Sequence, residues 1–285
     1  MFRITAAMRN DIRAQAARFL SEHGFDAPPL QPDQALDARK LEVTQLSLDD
    51  LLIKANLPPE DHKKIQAMIN TRARAVTFRS GLPIQQRNWG SLHEIAHEFL
   101  PWQREAIYFC PLLLLPTNLH EQFEAEADVF AAEAFFFADR FQGMMAQGDW
   151  GLVTAADLAD NVFGTSFHAT FRHYVESSDK ACCLLVWRPA PKNGDLWTPG
   201  SMSLHYYISS RTFHGHIDPG QIASPDDIVS QVYTDPSTDK VVKHQMHFNS
   251  KNGDSLVADA ESFTNSYSVF TLITQPAPVG ALLKA

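Results

Sequence analysis

Along the first twenty positions the apolar residues Ile4, Met8, Ile12, Ala16 and Phe19 recur three or four apart, with Arg9, Asn10, Asp11 and Arg13 between them. That period predicts an amphipathic helix whose apolar stripe packs on the body of the protein. The stretch Ala27 to Val43 is rich in Pro, Gln and Asp and reads as a loop. Ser47 then precedes a short helix with Asp49 and Asp50 in its first turn, where the helix dipole favours acids. Pro59-Glu60-Asp61 opens a second helix toward Arg74. AVTFRS, Ala75 to Ser80, reads as a strand closed by a turn at Gly81 and Pro83.

Trp89 to Trp102, WGSLHEIAHEFLPW, has helical spacing and is ended by Pro101. AIYFC and LLLL read as extended or buried segments. HEQFEAEADVFAAEAFFFADRF is one long helix, with Phe123, Ala127, Phe130 and Ala134 as its apolar stripe and Gly143 and Gly148 marking its end. Thr154 is placed as the cap of a helix through Val162, Gly164 as a turn, and Ser166 as the start of a helix through Val175. This is the spacing of a helix-turn-helix, and equally of a small helical connector. From Cys182 the pattern changes to strands, in CCLLVWR, SLHYYIS, VSQVYT, VVKHQMHF and SYSVFTLIT, between turn signals such as Asp218-Pro219-Gly220 and Asn252-Gly253-Asp254. The expected fold class is α+β. Its expected divisions are a mostly helical domain over 1–150, a helix-turn-helix-like module over 151–178 and a sheet-rich domain over 179–285.

Composition narrows the setting. The chain has 285 residues, 45% of them hydrophobic, which is enough for two cores. Its apolar runs fall far short of the roughly 20 residues of a membrane span, and charges interrupt its start, so neither a membrane anchor nor a secretory signal is expected. Three cysteines, Cys110 and the adjacent Cys182 and Cys183, make no disulfide framework and fit a reducing cytoplasm. The net charge of −9 is concentrated: residues 91–150 carry 10 acidic and 2 basic groups. That balance argues against nucleic-acid binding by charge alone, and a divalent cation would offset part of it.

The chemistry sits in that acidic segment. On a helix His93 and His97 stand one above the other and can aim two imidazoles at one ion. Zinc suits such nitrogen and oxygen ligands, and Glu94, beside the first of them, is placed to take a proton from water at the metal. A third ligand is expected from the downstream helix. Glu124 flanks the apolar stripe near small residues that allow close helix packing, and is the expected ligand; Glu126 is the alternative. Asp128, one turn beyond Glu124, is the expected partner behind a ligand histidine.

These two stretches resemble the ImmA/IrrE family of zinc metallopeptidases. RNWGSLHEIAH, Arg87 to His97, is similar to the family's RF-T-x-AHE-x-GH, and EAEADVFAAE, Glu124 to Glu133, to its E-x-E-A-N-x-F-A-A-E. FGTSFHATFRHYVE, Phe163 to Glu176, resembles the small helical module that follows the peptidase, so the likeness covers roughly residues 45 to 176. The resemblance implies a zincin-like, thermolysin-type site with His93, His97 and Glu124 on zinc and Glu94 as general base. It implies cleavage of a helix-turn-helix repressor, lifting repression of DNA-damage, mobile-element or phage-defence genes. It also implies a GAF-like sensor domain over the sheet-rich C-terminal part, as in the phage-defence members. The chain departs from the family at Ala96, where Gly is common, and at AFFFADRF, where Leu-Leu-Met-Pro is common.

Other residues carry weaker signals. Cys110, 13 positions after His97, is either an inhibitory ligand in the open coordination position or a buried, inert thiol. Tyr108 and Arg87 are candidates for an oxyanion donor, and the edge of the Ala75–Ser80 strand for pairing with an extended substrate. His214, His216, His244 and His247 suggest a second metal or simply a solvated strand face. Trp187, Trp197, Tyr206, Tyr207 and Phe213 are either a stacking platform for single-stranded DNA or sheet core; a small-molecule activator is the other ligand expected of this domain. Against the enzyme stands a non-proteolytic sensor or binding module that keeps zinc for structure.

Overall fold

Thr5 opens helix α1 (Ala6–Glu22) by accepting the Met8 amide on its hydroxyl at 3.2 Å, and Ile12, Ala16 and Phe19 of the predicted stripe are buried. The computed structural model describes residues 2, 4–44, 47–54, 62, 65–109, 115–137, 139–191, 198–235, 241–250 and 255–275. They form two units, Met1–Phe141 and Gln142–Ala285, and the whole is α+β.

In the first unit the expected loop over 27–43 contains helix α2 (Pro32–Ala38), which begins on a proline whose missing N–H costs nothing there, and strand β1 (Glu42–Val43). Helix α3 (Leu48–Lys54) follows Ser47, whose hydroxyl accepts the Asp50 amide. The helix expected from Pro59 does not reach Arg74, and its start, Pro59 to Asp61, lies outside the described residues. Ala67–Asn70 is strand β2, paired antiparallel with β3 (Ala75–Phe78), and the hairpin closes because Asn70 accepts the Ala73 amide at 2.9 Å and Arg74 adopts φ 51°. The sheet order is β1-β3-β2. Since β3 is the middle strand, its edge is not open to a substrate, contrary to expectation; β2 is the edge strand.

Helix α4 (Ile84–Phe99) carries the His-Glu-x-x-His stretch. Its end is tied down by buried Glu98, which accepts two bonds from Arg39 at 2.8 and 2.9 Å and one from Arg74 at 3.2 Å. Pro101 starts helix α5 (Pro101–Phe109), so AIYF is helical rather than extended, while Leu112, Leu113 and Leu114 lie outside the described residues. The long downstream helix divides into α6 (Thr117–Phe135) and α7 (Asp139–Gln147), and α6 packs along both α1 and α4.

The second unit takes in most of α7 and continues with α8 (Leu152–Asp157), a π-helical turn (Leu158–Phe163), left-handed Gly164 and α9 (Phe167–Glu176), capped by Ser166 as expected. Thr154 is not the cap of α8. Its hydroxyl donates to the Asp149 carbonyl, and the Leu152 amide donates instead to Glu261 at 2.6 Å. Seven strands follow: β4 (Cys182–Pro189), β5 (Met202–Ser209), β6 (Gly215–His216), β7 (Ile222–Ala223), β8 (Val242–Ser250), β9 (Ser255–Thr264) and β10 (Val269–Thr274), in the order β6-β8-β9-β10-β4-β5-β7. VSQVYT is helix α10 (Ile228–Thr234) rather than a strand, because Asp227 caps it and Val229 and Val232, three apart, are its buried pair.

One sheet face packs against α9, where Phe171 meets Phe270 and Phe263 with ring centroids 5.1 and 5.9 Å apart. The other buries Cys183, Leu185, Trp187, Val269 and Ile273 beside Val229 and Val232 of α10. The helices over 151–178 are therefore a layer of the second unit, held by apolar burial, and not a module standing apart. No helix of the described residues is long and apolar enough to cross a membrane.

Candidate metal centre

His93 and His97 lie one turn apart on α4, their ring centroids 4.9 Å apart. Glu124 on α6 faces both: its Oε2 is 3.2 Å from His93 Nε2 and its Oε1 is 3.6 Å from His97 Nε2. One ligand atom from each of the three lies within 4.8 Å of the others, and among the described residues no other group of three His, Cys, Asp or Glu converges in this way.

Each imidazole is held from behind. His93 Nδ1 lies 3.0 Å from Asp128 Oδ1, and His97 Nδ1 lies 2.7 Å from Gln103 Oε1. Both Nε2 atoms are thereby turned toward Glu124. His97 is buried, and its Nε2 has no hydrogen-bond partner among the described residues. An orphaned buried nitrogen costs about 1–3 kcal/mol unless something occupies it, and two imidazole nitrogens with a carboxylate oxygen are the donor set a divalent cation such as zinc accepts. The residues fit a metal.

The charges agree with that reading. Burial pushes His97 down to about 4, and the His93 charge adds to the push. Burial alone would raise Glu124, but its hydrogen bond to His93 and the charges of His93, His97 and His120 outweigh it and hold the carboxyl near 2. Burial opposes ionisation of His93 too, yet its bonds to Asp128 and Glu124 raise it well above the usual histidine value. Glu94 is pushed up to about 7 chiefly by burial and also by Glu124, against the His93 charge and the Ile69 amide, which bonds it. The metal-free site thus holds a proton on His93, which a cation must displace. Zinc uptake at pH 7 is expected to release the His93 proton, and affinity to fall as pH drops through the raised His93 value, since ligands bind metal only when deprotonated. Calorimetry in buffers of differing ionisation enthalpy measures this, and uptake without proton release would contradict it.

Other candidate residues fall elsewhere. Glu126, the alternative ligand, is buried but turned away from the histidines, accepting from Trp102, Gln103 and Gln122. Arg87 pairs with Asp33 at 3.1 Å and lies over the Phe78 ring. Cys110 and the Tyr108 side chain lie outside the described residues, as does Trp197. Trp187 and Phe213 are core residues, with no face open for base stacking, whereas Tyr207 is exposed and Tyr206 bonds His168. His244 bonds Ser262 at 2.9 Å.

Two features of the site were missed from sequence. His120, one turn before Glu124, brings its Nε2 to 3.7 Å from Glu124 Oε1 and is about one third exposed; the signal was its four-residue spacing in HEQFE. The second is β2. The Arg79 amide bonds the Gln66 carbonyl at 2.8 Å, which sets the ladder so that Ala67 and Ile69 turn their backbone groups away from β3, and the Ile69 amide meets Glu94.

The fold is similar to that of a solved Mycobacterium tuberculosis transcriptional regulator, with a TM-score of 0.51 and 15% identity over 93% of this chain and 76% of that one. At such identity the likeness is one of fold. No family model and no curated protein matches the sequence.

Proposed function

We propose that the chain is a zinc-dependent endopeptidase of the ImmA/IrrE kind that cleaves a helix-turn-helix repressor and so relieves repression under stress, such as DNA damage or phage infection. The observation that carries this reading is the convergence of His93, His97 and Glu124 with Glu94 buried beside them, because a purely structural site has no use for that carboxyl. The similarity in fold to a transcriptional regulator supports the regulatory half. His93, His97 and Glu124 would hold the zinc ion, which would supply Lewis acidity toward a carbonyl and a water near neutral pH.

The chain's own residues do the rest. Glu94 takes the proton of the attacking water as the new C–O bond forms and passes it to the amide nitrogen as the C–N bond breaks. An extended substrate adds to the edge of β2, where Ala67 and the Ile69 carbonyl offer backbone groups beside Glu94. His120, on the solvent-accessible side of Glu124, donates to the oxyanion. The second unit, GAF-like in this reading, receives the activating signal, a small molecule or single-stranded DNA.

His120→Ala is expected to lower kcat by about 100-fold, the usual loss for one oxyanion donor, while zinc affinity stays within about threefold. Loss of zinc in that variant would make His120 a ligand instead. Incubating the zinc-loaded protein with a repressor encoded beside it, and mapping the fragments by mass, tests the whole proposal. The rival, a sensor that keeps zinc for structure, predicts an uncut repressor under every signal tried.

A further inference from the structure

Gln103 and Glu126 are buried polar side chains that the chemistry above does not use. Gln103, on α5, places its amide nitrogen 3.1 Å from the Phe123 carbonyl and 2.7 Å from Glu126 Oε2. A carbonyl only accepts, so the nitrogen end of the amide must point there, and Oε1 must point at His97 Nδ1, 2.7 Å away. That oxygen also only accepts, so Nδ1 must carry the hydrogen.

We infer that Gln103 and Glu126 are positioning residues that lock His97 in its Nδ1–H tautomer, presenting a bare Nε2 lone pair to the metal. The inference rests on the reading of His97 as a ligand. Glu126 acts at one remove: the Trp102 indole, a donor only, and Gln122, at 2.7 and 2.8 Å, hold it as an acceptor, and it in turn holds the Gln103 amide against flipping. The opposite tautomer would place an N–H on Nε2, which has no hydrogen-bond partner among the described residues. The bond behind His93 differs in kind. Asp128 is mostly exposed, whereas the Gln103 bond is sealed from solvent and its direction is dictated by three acceptors and donors of fixed type.

The test reads tautomers directly. In the metal-free wild type, two-bond 15N–1H correlation spectra of histidine-labelled protein are expected to show His97 protonated on Nδ1 alone. Gln103→Leu is expected to give a mixture of tautomers and a 10- to 100-fold loss of zinc affinity by chelator competition, the usual range for a partner behind a ligand. Glu126→Leu, which leaves the Phe123 carbonyl in place, is expected to fall between. Glu126→Gln keeps an acceptor oxygen and is expected to restore the wild-type spectrum. A wild-type His97 protonated on Nε2 overturns the inference, as does a folded Gln103→Leu with an unchanged tautomer and zinc affinity within twofold. Should Gln103→Leu fail to fold, the wild-type spectrum decides. A wild type that shows the Nδ1–H form yet takes up no zinc overturns the metal reading and leaves the tautomer assignment standing.

Discussion

Glu94→Gln is expected to bind zinc as tightly as the wild type, to within about threefold, and to lose cleavage of the repressor by 100- to 10,000-fold, the range that a positioned general base contributes. The substitution changes one oxygen to nitrogen at a position that is 5% exposed, so packing is preserved. What disappears is the ability to accept and return a proton. The variant should instead trap substrate, since the β2 edge and the triad are intact, and co-purification of uncut repressor with Glu94→Gln but not with wild type would register that. The measurements are zinc stoichiometry, a melting curve to establish folding, and single-turnover cleavage. If Glu94→Gln cuts at the wild-type rate, the carboxyl is not the base. If neither protein cuts under any activating signal, the sensor reading gains.

The parts of the site legible in sequence are those written within one helix. His93 and His97 at four-residue spacing, and Glu124 and Asp128 one turn apart on the flank of an apolar stripe, need only the period of 3.6 to be placed on converging faces. Asp128 stands behind His93 as expected, but the residue behind His97 depends on how α5 folds back against α6, which the sequence does not show, for a physical reason. AIYF is a short apolar run, in which a buried strand and a buried helix look alike, so Gln103 was never placed facing α6. VSQVYT failed likewise, although Asp227 offered a usable cap. Strand β9 was missed because Asp259 and Glu261 interrupt its apolar residues. In the folded sheet Ala258, Ala260, Ser262 and Phe263 are buried, while the acids alternate with the first three. The hairpin of β2 and β3 was hidden by Ala67 and Met68, which suit helices equally well, until pairing with β3 decided the matter. At β2 propensity lost to tertiary pairing.

Glu124→Ala is expected to weaken zinc binding by more than about 100-fold, beyond the loss caused by removing a partner outside the coordination sphere. Two effects act together. The cation loses its only anionic ligand of the triad, and two imidazoles alone hold zinc weakly. The metal-free state changes as well, because Glu124 bonds His93 Nε2 and helps to hold its proton. Without that carboxylate His93 loses part of its upward shift, and less than one proton should be released by whatever zinc still binds. Asp128→Asn supplies the contrast: it keeps all three ligand atoms and is expected to cost about 10-fold in affinity. Competition with a chromophoric chelator at pH 7 measures both variants. An affinity for Glu124→Ala equal to that of Asp128→Asn would mean that the carboxylate does not touch the metal, and the convergence of α4 on α6 would then be helix packing with histidines at the seam.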